Sequence, residues 1–175
     1  GHRVKNLIIN RPEIEYQGFF GFLQGNASAT VRNLILDKSC SITGYNRIGG
    51  IIASYQNPNG TIILENLVNE AAVTAKYQDA AGIVGSHYGG DPTIIIRNCV
   101  NTGTITAECD APYAGALCCY FGLNKDASLI ENFLNLGKVV GHKGGNIGRY
   151  SATNVTNIID LSETDDKTQG VIDGL

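Results

Sequence analysis

Apolar and polar residues alternate along this chain in runs too short for ordinary helices. Around Asn33 the residues two positions away on either side, Val31 and Ile35, are apolar, and Asn6, Asn66, Asn98, Asn132 and Asn157 have the same surroundings. A period of two marks a strand, and it sets these six asparagines on an inward face or at a corner. The runs are rich in Val, Ile, Leu and Thr and are broken by Gly, Asn and Asp, which predicts short strands joined by turns. One stretch, "LVNEAAVTAKYQDA", has room for a helix longer than two turns. It aligns with "CVNTGTITAECDA" one repeat later, which contains a Gly and three β-branched residues, so strand is the prediction for both.

The asparagines mark a repeat. They sit in "VKNLII", "VRNLIL", "LENLVN", "IRNCVN", "IENFLN" and "VTNIID", and each of the first five is followed by a second recurring phrase. That phrase has its glycine at Gly18, Gly50, Gly82, Gly115 and Gly145, in steps of 32, 32, 33 and 30 residues. Two markers keeping a common period of about 32 residues, with no partner helices, predict a parallel β-solenoid of about five to six coils over residues 1–160. Residues 161–175 form a polar C-terminal tail or cap.

In a solenoid, equivalent residues of successive coils lie about 4.8 Å apart. Arg32, Glu65, Arg97 and Glu131, each just before its marker asparagine, would then stack with alternating charge. The asparagines would form a ladder, because Asn tolerates the left-handed backbone of a sharp corner and its amides can bond from coil to coil. Five residues after each motif glycine come Leu23, Tyr55, His87, Tyr120 and Tyr150. Stacked, they make either a packing ladder or an exposed aromatic strip that holds a glycan or a protein.

Composition narrows the function. The net charge is -3 and 17% of residues are charged, so no basic footprint points to nucleic acid. No apolar run is long enough to span a membrane as a helix. Cys40, Cys99, Cys109, Cys118 and Cys119 are odd in number and contain no CxxC pair, which argues against a full disulfide framework or a zinc ribbon; a Cys109 disulfide stays open. His2, His87 and His142 are too scattered for a metal or triad motif, and "GHKGG" lacks P-loop spacing. The acids Asp79, Asp91, Glu108, Asp110 and "ETDD" from Glu163 read as turns and solvated loop. No catalytic residue, metal or cofactor is expected. With no methionine anywhere, the chain reads as a fragment of a longer protein accompanied by other domains. Sequons stand at Asn26, Asn59 and Asn154.

"GFFG", "GIVG" and "GNIG", with the degenerate "GIIA" and "GALC", resemble the GLUG motif: glycine, apolar, aliphatic, glycine. "IRNCVNTGTITA" resembles the segment that precedes this motif in such arrays. The likeness covers about residues 4–160; Ala53 and Cys118 replace the second glycine, and Asn146 puts a polar residue at the first apolar position. The resemblance implies a β-solenoid of a large bacterial secreted or surface protein, adhesin-like, located outside the cell or on its surface. The expected role is non-catalytic: adhesion to a host or bacterial surface glycan or protein, ligand presentation, or spacing of domains. The alternatives are a β-helix that binds or cleaves polysaccharide along a strand face, and an accessory segment of an extracellular peptidase.

Overall fold

The computed structural model describes residues 1–25, 28–56, 60–87, 92–109, 113–121, 126–141, 147–150 and 154–162. Among these there is no helix. Nineteen strands, numbered in chain order, fall into four parallel sheets. The largest, sheet A, stacks β1 (His2–Val4), β4 (Ala29–Leu36), β8 (Thr61–Asn69), β12 (Thr93–Asn101), β16 (Leu129–Asn135) and β19 (Asn154–Asp160). Sheet B holds β2 (Ile8–Arg11), β5 (Ser41–Gly44), β9 (Ala72–Ala75), β13 (Ile105–Ala107) and β17 (Val139–Val140). Sheet C holds β3 (Phe20–Gln24), β7 (Ile52–Gln56), β11 (Val84–His87), β15 (Cys118–Phe121) and β18 (Arg149–Tyr150). Sheet D is short: β6 (Ile48–Gly49), β10 (Asp79–Ala81) and β14 (Tyr113–Gly115).

Each strand pairs with its equivalent one coil away, Ile62 with Ile94 and Val73 with Ile105, for example. The chain is therefore a parallel β-solenoid with a repeat of about 32 residues, and it makes about four turns. The count of five to six coils from the sequence took every marker strand as a coil, yet sheet D, which closes the section, has three strands.

The core follows from the period of two. Ile62, Leu64 and Leu67 of β8 point inward, as do Ile94, Ile96 and Cys99 of β12, and Ile42, Val73 and Ile105 of sheet B meet them. Each such aliphatic side chain contributes about 1.5–3 kcal/mol on burial, and it contacts its copies above and below, so stability runs along the stack as nearest-neighbour terms. The alternation breaks once per coil. Glu65 and Asn66 are consecutive and both lie outside, and Leu67 is again buried.

Candidate functional site

The break is the marker asparagine. Asn6, Asn33, Asn66, Asn98, Asn132 and Asn157 all have φ between 54° and 58°. Such left-handed backbone suits Asn better than any residue with a bulkier side chain. Placed inside a strand, it turns two neighbouring residues outward and bends the chain. The side chains lie on the exposed side of sheet A. Asn66 Nδ2 donates to Asn33 Oδ1 at 3.0 Å, Asn98 to Asn66 at 3.2 Å, Asn132 to Asn98 at 3.0 Å and Asn157 to Asn132 at 2.8 Å. Asn66→Leu is expected to lower unfolding free energy by about 2 kcal/mol through left-handed strain and lost amide bonds. Asn66→Gly keeps the backbone conformation and is expected to cost roughly 1 kcal/mol; urea melts of the two variants check the ordering.

A second ladder runs inside, and the reading of the sequence missed it. Asn69 Nδ2 donates to Asn101 Oδ1, Asn101 to Asn135 Oδ1 and Asn135 to Asp160 Oδ1, each at 2.9 Å. The three asparagines are fully buried. The same Nδ2 groups also donate to the carbonyls of Ala71, Gly103 and Gly137, which holds the corner that leads from sheet A to sheet B. The signal was present: a second Asn follows the marker by three residues in "NLVN", "NCVN" and "NFLN". Leu36 fills this row in the preceding coil and Asp160 ends it, since a carboxylate has no amide hydrogen to pass on.

The motif glycines stand where backbones touch. A Cβ at Gly50 would lie 2.2 Å from the Gly82 carbonyl oxygen and 2.7 Å from Asn69 Oδ1; one at Gly82 would lie 2.3 Å from the Ala116 oxygen and 2.5 Å from Asn101 Oδ1. A Cβ at Gly18 would meet backbone atoms of Gly49, Ala53 and Phe20 at 2.8 Å. Gly115 is a correction. It pairs with Ala81, and Val84 pairs with Cys118, so Ala116 follows Gly82 in the row, and Cys119, not Cys118, follows Gly85. "AGALCC" can be matched to "AGIVG" in two registers, and aligning glycine on glycine selects the wrong one. Gly145 and Asn146 lie outside the described residues, with His142, Asp91, Asp110, Asn26, Asn59 and "ETDD".

The same shift divides the aromatic row. Leu23, Tyr55 and His87 are in register, but Tyr120 pairs with Ser86 and leaves the row; Phe121 takes its place, and Tyr150 pairs with Phe121 and so stays in it. Tyr55 is fully buried, its ring centroid 5.0 Å from that of His87. Burial pushes its phenol far above the usual range. Tyr55 therefore cannot face a ligand, and of the two alternatives for this row an exposed strip through Tyr55, His87, Tyr120 and Tyr150 does not form. Tyr120 is 50% exposed, on a separate row.

Exposed aromatics do stack elsewhere. Tyr45 and Tyr77, 38% and 45% exposed, lie one coil apart with ring centroids 5.4 Å apart and planes 9° from parallel. They border sheet B, where Thr43, Thr74 and Thr106 form an outward row in register.

Charges also pair from coil to coil. Arg97 reaches Glu65 at 2.7 Å, and Lys76 reaches Glu108 at 2.8 Å. Arg3 Nη1 contacts Asp37 at 2.6 Å and Glu70 at 2.8 Å. The Ser39 amide donates to Asp37, and with Arg3 and the Ser39 hydroxyl it draws the Asp37 carboxyl from 3.8 down to about 2. A folded-state value below the unfolded one stabilises the fold above pH 4 and is lost as pH falls from about 4 to about 2. Asp37→Asn is expected to flatten acid unfolding in that window, read as the change in melting temperature per pH unit.

The five cysteines are free. Burial lifts the Cys99 thiol to about 12 and the Cys119 thiol well above its ordinary 9.0, so both stay protonated and weakly nucleophilic. Among the described residues no three His, Cys, Asp or Glu side chains gather in a way that could hold a metal ion, and no helix is long and apolar enough to cross a membrane. Comparison of the chain with family models, curated proteins and solved structures finds no match to any of them.

Proposed function

We propose that this chain is a non-catalytic extracellular β-solenoid segment whose role is to present a rigid, broad-sided surface for adhesion or ligand display, in a secreted or cell-surface protein of the GLUG-like, bacterial kind. One observation carries the reading: the repeated residues are consumed by coil-to-coil contact. The outer asparagines bond one another, the inner ones hold the corner, Gly50 and Gly82 admit backbone, and Tyr55 is core. Repeated outward rows such as Thr43, Thr74 and Thr106 set like side chains at a regular spacing on a stiff support, which is what a display surface uses.

A second reading, glycan binding without cleavage, is favoured by the exposed Tyr45–Tyr77 pair beside the Thr43, Thr74 and Thr106 row. Aligned hydroxyls on a stiff support suit an uncharged sugar chain, with little entropy lost on binding. A glycan array run beside a polysaccharide-depolymerisation assay tests both. Binding abolished in Tyr77→Ala supports the glycan face; protein adhesion without sugar binding supports the first reading; depolymerisation sinks both.

A further inference from the structure

The charged row of sheet A is asymmetric in a way that pairing within one chain leaves unused. Arg32, Glu65, Arg97 and Glu131 stack in register. Glu65 is committed: its Oε2 accepts from Arg97 Nη2 at 2.7 Å and Nε at 2.9 Å, and its Oε1 accepts from Asn66 at 3.4 Å. Arg32 and Glu131 form no ion pair with any described residue. The row thus ends in an unpaired positive charge in β4 and an unpaired negative charge in β16, three coils or roughly 14 Å apart. Half-buried aliphatic rows flank it, Ile63, Ile95 and Leu129 on one side and Ile35, Val68, Val100 and Leu134 on the other.

We propose that a second copy of this chain packs against the outer face of sheet A, related by a two-fold axis lying along the strands between β8 and β12. This axis reverses the order of coils while keeping each position along the strand. Arg32 then faces Glu131 of the second copy and Glu131 faces the second copy's Arg32. The two Glu65–Arg97 pairs meet at the centre as four alternating charges. Ile63 faces Ile95, Val68 faces Val100, and Ile35 faces Leu134. The other in-plane axis, along the solenoid, sets each charge of the row against its own copy, so electrostatics select the first. Such an interface is isologous and closes at two copies. Six strands at about 4.8 Å spacing, most of seven to nine residues, make a face on the order of 600 Å² per copy. That is at the low end for specific association, so the dimer is weak and sensitive to salt.

Sedimentation of the 175-residue chain up to hundreds of micromolar tests this, at about 0.05 M and about 0.5 M salt. A reversible monomer–dimer equilibrium is expected, weaker at the higher salt. Arg32→Glu and Glu131→Arg should each weaken it roughly tenfold, and the double reversal should return to within about threefold of the parent, since the exchanged ends meet again. Residues three coils apart in one chain have no other route to that recovery. Where a reversal disturbs the fold by circular dichroism, Arg32→Gln and Glu131→Gln replace it, each expected to weaken pairing roughly threefold. A chain that stays monomeric throughout, a double reversal weaker than either single one, or growth past two copies by end-on stacking would overturn the proposal.

Discussion

Gly82→Ala should destabilise the solenoid by about 3 kcal/mol or more, at the upper edge of what overpacking usually costs. The added methyl carbon has nowhere to go. Its ideal position is 2.3 Å from the Ala116 carbonyl oxygen and 2.5 Å from Asn101 Oδ1. The first obstacle is backbone, fixed by the ladder of sheets D and C, and the second is a buried amide bonded on both sides. Relief requires sliding one coil against the next, which breaks parallel pairing in the middle of the stack. For a chain of this size such a loss lowers the melting temperature by roughly 6–12 °C. Gly21→Ala is the matched control. It sits in the same recurring phrase, yet its Cβ would meet one atom, the Tyr16 oxygen at 3.1 Å, and its melting temperature should fall by less than a third as much. Equal losses at both positions would sink the close-approach account; chain entropy alone would make both alanine variants slightly more stable.

The second large effect is expected at Asn101. Asn101→Leu keeps approximate volume, and Leu36 occupies the same row elsewhere without strain, so shape alone predicts tolerance. Hydrogen bonding predicts the reverse. The Gly103 carbonyl loses its side-chain donor, Asn69 Nδ2 loses its acceptor in the next coil, and Asn135 Oδ1 loses a donor. Buried groups left short of partners cost about 1–3 kcal/mol each, and part is offset by partners that remain, such as Ala71 O for Asn69 and the Gly137 amide for Asn135. A net loss of about 3–4 kcal/mol is expected, read from urea unfolding, with faster amide exchange at Gly137 as the local signature. An unchanged midpoint would mean that the inner row is held by packing alone.

The two ladders show how much of this fold was legible beforehand. The outer asparagines stood out because one property, tolerance of left-handed backbone, forces the same residue at every coil. The inner asparagines were equally regular, but they were read as part of the same phrase, and nothing in a single sequence separates an Asn that bends the strand from one that plugs the corner. The aromatic row failed for another reason. Gly115 and Ala116 are both small, so the sequence could not say which of them follows Gly82, and a slip of one residue carries Tyr120 from the Tyr55 row to the Ser86 row. Period-two patterns fix the inward or outward sense within a strand; they do not carry it across a turn whose length varies. The Tyr45–Tyr77 stack joins single positions of two coils and has no counterpart among the described residues of the others, so no repeat could have announced it.

Winding has a consequence for length. A coil of about 32 residues advances the stack by about 4.8 Å, whereas the same residues drawn out would reach roughly 105 Å. Measured as a tether, the chain shortens itself some twentyfold. In return it becomes a beam: every added coil contributes parallel hydrogen bonds on several sides of the section, so bending requires many of them to stretch together. A gain or loss of one whole coil alters the beam by a single step and leaves the sense of every face unchanged. Evolution could thus lengthen or trim this molecule in increments of about 4.8 Å without redesigning what the faces carry.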